Sequence, residues 1–121
     1  IRLEAVADHA AVGLSYGQKK LMELGMALMT QPKLLMLDEP MAGVNPTLVE
    51  GLKQNLLDIR ARGVSLLIVE HNLKLVFEIC DTIYVLDQGK LLAQGPPEVI
   101  AHDPRVMQAY LGRREQESQL D

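Results

Sequence analysis

The sequence has a single cysteine, no dense basic cluster and no long apolar run. Because Cys80 is the one cysteine among 121 residues, the chain forms no internal disulfide. It falls in line with apolar residues at helical spacing, which favours a buried structural thiol in a reducing compartment. The longest apolar runs, 34–37 and 66–69, are too short to cross a bilayer, so any membrane role must come from a partner.

The charge balance and the start of the chain set further limits. The net charge is −4, and the absence of a dense basic cluster argues against a nucleic-acid partner. Hydrophobic residues make up 48% of the chain, which argues against disorder and is enough for one domain core. No charged-then-apolar signal segment opens the sequence. The first residue is Ile1 rather than Met, so we expect the sequence to begin inside a longer gene product.

The stretch 14–18 (Leu-Ser-Tyr-Gly-Gln) predicts the start of a helix that runs to about Thr30. Ser15 is a good N-cap, and Gln18 three residues later completes a capping box. One interpretation is an ordinary capped amphipathic helix. The other is an anion site, because a helix N-terminus carries unpaired N–H groups and Gly17 allows close approach of a phosphate.

The residues that follow favour the anion site. The apolar run 34–37 predicts a strand buried on both faces, as in a parallel sheet, and it ends directly in Asp38, Glu39 and Pro40. A second apolar run, 65–69, ends in Glu70 and His71. Ligands of open parallel sheets bind outside the carboxyl ends of the strands. These polar residues are therefore placed for chemistry, although a solvated loop with a capping acid is the alternative.

The other elements complete an α/β pattern. Apolar strands alternate with helices, which predicts a parallel sheet with right-handed crossovers. The later elements are a helix opened by Asn45-Pro46 and closed near Gly63, a helix capped by Asn72, a strand 82–86 that forms an antiparallel hairpin with 90–94, and short helices over 97–101 and 103–111. Gly112 is predicted to lie past the end of the last helix, and 113–121 is predicted to be a mobile polar tail.

Four motifs in this order resemble those of ATP-binding cassette (ABC) ATPases. Residues 14–18 resemble the signature motif, and 34–40 resemble the Walker B strand with its catalytic glutamate. The stretch 42–46 (Ala-Gly-Val-Asn-Pro) is similar to the D-loop, and Glu70-His71 is similar to the switch histidine. Tyr16, the D-loop and the stretch 103–112 resemble more narrowly the ATPase subunits of branched-chain amino acid importers.

The resemblance covers only part of a cassette. No Gly-x-x-x-x-Gly-Lys-Ser/Thr phosphate loop occurs in the 121 residues. The implied fold is thus a partial P-loop NTPase (ABC ATPase) fold, a parallel sheet with flanking helices and a C-terminal β-hairpin, lacking the phosphate-loop strand. In the family that strand lies between those at 65–69 and 82–86, so we expect these two not to pair. Residues 1–112 would be the C-terminal half of an ABC nucleotide-binding domain.

The resemblance also implies ligands and roles. Glu39 would orient or deprotonate the attacking water, His71 would contact the γ-phosphate, and Asp38 would hold Mg²⁺ through water. The signature residues would contact the ATP of a partner ATPase subunit, and the D-loop residues would lie at the dimer interface. These residues are Ser15, Tyr16, Gly17 and Gln18 in the first group, and Gly43 and Asn45 in the second.

The implied function is ATP hydrolysis, with ATP and Mg²⁺ as ligands, powering an importer at the cytoplasmic face of the plasma membrane. Transmembrane permease subunits would be the further partners. Two alternatives stay open: a non-catalytic interaction module or remnant without a phosphate loop, and an ABC ATPase that serves a process other than transport.

Overall fold

Paired strands and two long helices form the first of the two units into which the chain divides, Ile1–His71. The structure is a computed structural model, and it describes Asp8 and residues 10–117. In chain order this unit contains a 3₁₀ turn at Ala11–Gly13, helix α1 at Tyr16–Leu28, strand β1 at Leu34–Asp38, helix α2 at Pro46–Ala61 and strand β2 at Ser65–Val69.

The local sequence signals place the helix ends of this unit. Ser15 and Gln18 form the predicted capping box at α1. Asn45 caps α2 through a hydrogen bond that its side chain accepts from the Thr47 amide, and Pro46 takes the first helical position. Gly63 follows α2 with a φ of +89°, a left-handed conformation that suits the residue just past the end of a helix.

Strands β1 and β2 pair in parallel, as predicted, with Leu34 opposite Ser65 and Asp38 opposite Val69. The prediction that β1 is buried on both faces is wrong. Leu35 is 7% exposed, whereas Met36 on the opposite face is 68% exposed. An apolar run shows that a strand can be covered on both sides, but burial needs a second layer of structure, and the described residues cover one face of this pair.

The second unit, Asn72–Asp121, is built around a hairpin. Its elements are helix α3 at Leu73–Ile79, strand β3 at Ile83–Asp87, strand β4 at Lys90–Gly95, helix α4 at Pro97–Ile100 and helix α5 at Pro104–Glu117. Strands β3 and β4 are antiparallel, with a register shift between Val85 and Leu86. Its core is formed by Val76, Ile83, Ala93, Ile100 and Val106, and half-buried Cys80 packs against this core.

The strands of the described residues form two separate sheets, β1–β2 and β3–β4. The strand at 82–86 does not pair with the strand at 65–69 in this arrangement, in agreement with the missing phosphate-loop strand.

The predicted end of the last helix at Gly112 is wrong. Helix α5 continues through this glycine to Glu117, so part of the predicted tail is helical, and residues 118–121 lie outside the described residues. The residues after Gly112 are mostly strong helix formers, and one interior glycine costs only about 1 kcal/mol relative to alanine. No helix in the described part of the chain is both long enough and apolar enough to cross a membrane.

Candidate functional site

Glu39 lies directly after β1 in a strained backbone conformation. Its φ is +45°, in the left-handed region that residues with a side chain rarely adopt. Its amide donates a 2.8 Å hydrogen bond to the carbonyl of Val69, so the β1–β2 pairing extends one residue beyond the strand. The Glu39 side chain is 50% exposed, and its carboxylate is accessible to solvent at the carboxyl end of the sheet.

His71 follows β2 and comes close to Glu39. The distance from His71 Nδ1 to Glu39 Oε1 is 3.5 Å, and the His71 side chain is 75% exposed. The two residues are 32 positions apart in sequence, and the parallel register that sets Asp38 opposite Val69 brings them together. The structure therefore joins the two predicted catalytic residues at one edge of the β1–β2 pair.

The carboxylate of Glu70 bonds the loops that follow both strands. Glu70 Oε1 accepts a 3.2 Å hydrogen bond from the amide of Met41, and Oε2 accepts one of 3.2 Å from the amide of His71. Met41 is buried, and Glu70 is partly buried. The sequence indicates an acid after the second apolar run, but it does not indicate which backbone groups that acid contacts.

At the start of α1, two predicted site residues form the capping box, and their side chains contribute only acceptor atoms to it. Ser15 Oγ accepts from the amide of Gln18 at 3.3 Å, and Gln18 Oε1 accepts from the amide of Ser15 at 2.8 Å. The hydroxyl proton of Ser15 and the Nε2 group of Gln18 take no part in it. The same two side chains can therefore cap the helix and donate to an anion through different atoms.

Tyr16 packs against the loop between β1 and α2, and Gly17 packs against the first turn of α2, contacts that the sequence does not predict. A methyl group built on Gly17 would lie 2.6 Å from Cδ1 of Leu48, so a larger residue here would have to displace the end of that side chain. A methyl group on Gly43 would lie 3.2 Å from Cε1 of Tyr16. The structure thus places the predicted signature and D-loop residues side by side within one unit.

Gly43 and Asn45 have local roles in this loop. Gly43 has a φ of +69°, which favours glycine, and Asn45 Oδ1 accepts from the amide of Thr47 at 2.9 Å. Both residues are exposed. Their surfaces are accessible to a second molecule.

The carboxylates at the end of β1 suit a magnesium ion that is held mainly by water and phosphate. Asp38 is exposed at the last position of the strand, next to Glu39. Among the described residues no cluster of three His, Cys, Asp or Glu side chains could hold a metal ion. Mg²⁺ in nucleotide sites usually binds one or two carboxylates, keeps several waters and takes phosphate oxygens from the substrate. This donor set fits that mode and does not form an all-protein cage.

Two family profiles match the sequence at opposite ends. A profile described as "ABC transporter" matches residues 1–42. A profile described as "Branched-chain amino acid ATP-binding cassette transporter" matches residues 90–116.

Curated proteins with similar sequences are transporter ATP-binding proteins. The chain is 42% identical to the probable branched-chain amino acid transport ATP-binding protein LivG of Archaeoglobus fulgidus, over 97% of this chain and 46% of that protein. It is 43% identical to the high-affinity branched-chain amino acid transport ATP-binding protein BraF of Pseudomonas aeruginosa, over 93% of this chain and 44% of that protein. It is 37% identical to the lipopolysaccharide export system ATP-binding protein LptB of Haemophilus influenzae, over 90% of this chain and 45% of that protein. The chain thus spans slightly less than half the length of these relatives.

Solved structures agree with the sequence similarity. A nucleotide-free ATP-binding cassette from an ABC transporter superposes with a TM-score of 0.80 at 38% identity, over 89% of this chain and 44% of that chain. A protein from Clostridium perfringens, described as part of the ABC transporter complex cbiONQ, gives a TM-score of 0.75 at 30% identity, over 97% of this chain and 47% of that chain.

Proposed function

The chain belongs to the family of ABC transporter ATPases, and we propose that it is the C-terminal half of a subunit that hydrolyses ATP to drive transport. The observation that carries the proposal is the pairing of Glu39 with His71 at the ends of two parallel strands, 3.5 Å apart. Open parallel sheets bind their ligands at this edge. The carboxylate and the imidazole are the side chains that most often move protons in enzymes.

Glu39 acts on the attacking water in this proposal. Its carboxylate is half exposed and fixed to β2 through its own backbone amide, so a water molecule can reach an acceptor of defined position. It orients that water and accepts its proton as the water oxygen bonds to the γ-phosphorus and the bond from this phosphorus to the bridging oxygen breaks, with ADP as the leaving group. Positioned general-base help of this kind typically contributes on the order of 10²–10⁴-fold in rate.

His71 holds the other side of the same water. Its Nδ1 faces Glu39, and the ring donates a hydrogen bond to the γ-phosphate or to the attacking water. A γ-phosphate contact of this type is lost after hydrolysis, so His71 also reports which nucleotide is bound.

Asp38 would hold Mg²⁺ from the last position of β1, through water. The ion, when bound, neutralises charge on the phosphates during phosphoryl transfer. What the chain itself supplies is one exposed carboxylate in a fixed backbone register with Val69.

The signature residues serve the nucleotide of a second ATPase subunit in this proposal. The hydroxyl proton of Ser15 and the Nε2 group of Gln18 donate to its phosphate oxygens, while Tyr16 and Gly17 hold the helix end against the D-loop. Gly43 and Asn45 of that loop lie at the subunit interface. ATP closes the dimer and hydrolysis releases it, and transmembrane permease subunits convert this motion into transport.

Branched-chain amino acids are the proposed cargo. The profile that matches residues 90–116 is described for that group of transporters, and it covers a part of the chain outside the common ATPase motifs. Similarity to the lipopolysaccharide export protein LptB supports export of lipopolysaccharide as the second candidate. In both cases the subunit works at the cytoplasmic face of the inner membrane, held there by its permease.

The test compares two carboxylate variants of the full-length protein that contains this chain. Glu39→Gln keeps the size of the side chain but cannot accept a proton, so hydrolysis should fall on the order of 10²–10⁴-fold while Mg-ATP binding persists. Asp38→Asn should weaken Mg-ATP binding as well as turnover, because it changes a ligand of the ion. ATP turnover and ATP-dependent dimerisation are measured side by side for both variants.

Each result of that comparison is decisive for one assignment. Turnover near the parental rate in Glu39→Gln would show that the carboxylate is wrongly assigned. Poor hydrolysis without dimerisation in ATP would instead contradict the closure of two subunits around nucleotide.

A further inference from the structure

We propose that Glu70 is a positioning residue that holds Glu39 and His71 at their working separation. This inference rests on the function proposed above. Glu70 binds one backbone amide in each of the two loops, through a different carboxylate oxygen for each. Since a carboxylate has two acceptor oxygens, one side chain can fix both loops without a second residue.

The first loop needs such a restraint because Glu39 is strained. A residue with a side chain at a φ of +45° persists only where its surroundings hold it there. Two backbone amides, at Glu39 and two residues later, donate hydrogen bonds to the end of β2 and the residue after it. Its own amide donates to the Val69 carbonyl at 2.8 Å, and the Met41 amide donates to Glu70 at 3.2 Å. Glu39 is therefore anchored to β2 by its own amide and, two residues later, to the residue after β2 by the amide of Met41.

The second loop is fixed by the same carboxylate. The amide of His71 donates to Glu70 Oε2 at 3.2 Å, which defines where the backbone of His71 leaves β2. The imidazole is otherwise 75% exposed and has few packing contacts to hold it. The Glu39–His71 distance of 3.5 Å thus depends on one partly buried side chain that touches neither reacting group.

A purely structural acid would also stabilise the unit, so the test must separate the two roles. Three variants of Glu70 and one control distinguish them. Glu70→Ala removes both acceptors, Glu70→Gln keeps one acceptor oxygen, and Glu70→Asp keeps both oxygens on a shorter side chain. Glu23→Ala is the control, since Glu23 is an exposed acid on α1.

The first measurement is amide hydrogen exchange by NMR on the full-length protein that contains this chain. In Glu70→Ala the amides of Met41 and His71 should exchange at least roughly tenfold faster, because each loses a hydrogen bond to a charged acceptor. In Glu70→Gln one of the two amides should keep its protection. Glu23→Ala should change neither.

The second measurement is steady-state ATP hydrolysis by the full-length protein. A displacement of a catalytic group by about 1 Å can lower the rate on the order of 100-fold. We expect Glu70→Ala to lower kcat by about that factor while KM for ATP changes less than about twofold. Glu70→Gln should recover part of kcat, and Glu70→Asp should recover less.

The outcomes separate this inference from the proposed function. Unchanged exchange at Met41 and His71 in Glu70→Ala would overturn the positioning role. Parental kcat in Glu70→Ala, together with lost turnover in Glu39→Gln, would overturn it and leave the proposed function standing. Parental turnover in Glu39→Gln would instead overturn the proposed function. A rise in KM with unchanged kcat in Glu70→Ala would show that Glu70 acts on nucleotide binding, which also contradicts the inference.

Discussion

The ring of Tyr16 lies against the α-carbon of Gly43, so closely that a methyl group on the glycine would approach Tyr16 Cε1 to 3.2 Å. The ammonium group of Lys20 lies 5.7 Å from the centre of the same ring. A side chain of the helix that carries Ser15 therefore touches the loop that follows Glu39. This contact joins the loop to the start of α1.

Gly43→Ala should displace this ring at the same stability cost as Gly63→Ala. Both glycines have positive φ, at +69° and +89°, so alanine costs about 1–2 kcal/mol at each. At Gly63 no atom lies within 4 Å of a built methyl group. At Gly43 the methyl group meets the ring of Tyr16, but this ring is half exposed and can move away. Urea unfolding should give similar losses. NMR shifts of the Tyr16 ring and the Lys20 side chain should change in Gly43→Ala alone; unchanged shifts there would contradict the contact.

Gly17→Ala should fail to give the stability gain that alanine gives elsewhere in a helix. Gly51 in α2 has open space around a built methyl group, so Gly51→Ala should stabilise the chain by about 0.5–1 kcal/mol. At Gly17 the methyl group meets Leu48 Cδ1 at 2.6 Å and must push it aside. Thermal unfolding of both variants makes the comparison. In chains that already carry Leu48→Ala, Gly17→Ala should give the stability gain. A stability effect of Gly17→Ala that is the same with and without Leu48→Ala would disprove the clash.

The 121-residue chain by itself should release no measurable phosphate from ATP. The chain contains no Gly-x-x-x-x-Gly-Lys-Ser/Thr loop, which in this family supplies most triphosphate contacts. A helix N-terminus and two exposed carboxylates do not replace those contacts. Steady-state phosphate release is the assay. Release that Glu39→Gln abolishes would refute the expectation, whereas release that survives this change points to a contaminating ATPase.

Asp103 should make the second unit more stable above pH 4 than in acid. The side chain of Arg105 donates to it at 2.7 and 3.1 Å, and this hydrogen bonding lowers the pKa of the Asp103 carboxyl below its ordinary value. A carboxyl whose pKa is lower in the folded state stabilises it above the unfolded pKa of about 3.9. That contribution is lost as the pH falls through the folded pKa.

An NMR titration of the Asp103 carboxyl carbon measures this effect. Arg105→Ala should return the pKa of Asp103 towards its ordinary value, and Arg105→Lys should do so in part, since lysine keeps the charge without the paired donors. An identical titration in the parent chain and Arg105→Ala would show that the guanidinium does not shift the carboxyl.

Local chemistry in the sequence was sufficient to predict the ends of several elements. Ser15, Asn45 and Asn72 each cap the helix that was expected, because capping depends on residues three or fewer positions apart. The parallel pairing of β1 and β2 also followed from short-range patterns of apolar residues. The predicted site residues Glu39 and His71 meet because that pairing is correct.

The failures of sequence reasoning are of a different kind. The contact between Glu70 and Met41 joins residues 29 positions apart, and no spacing rule encodes it. The exposure of Met36 depends on how many layers cover the sheet, which an apolar run does not state. The continuation of α5 beyond Gly112 depends on the summed propensities of its neighbours, which outweigh one glycine.

The left-handed backbone of Glu39 also has a consequence for laboratory evolution. Glycine and asparagine occupy a φ near +45° more readily than glutamate does, so the native residue costs stability at this position. Libraries screened only for heat resistance or expression yield should accumulate Asn or Gly at position 39, and the winners of such screens should be poor catalysts. Enrichment of Asn or Gly codons at position 39 would therefore distinguish selection for stability from selection for catalytic turnover.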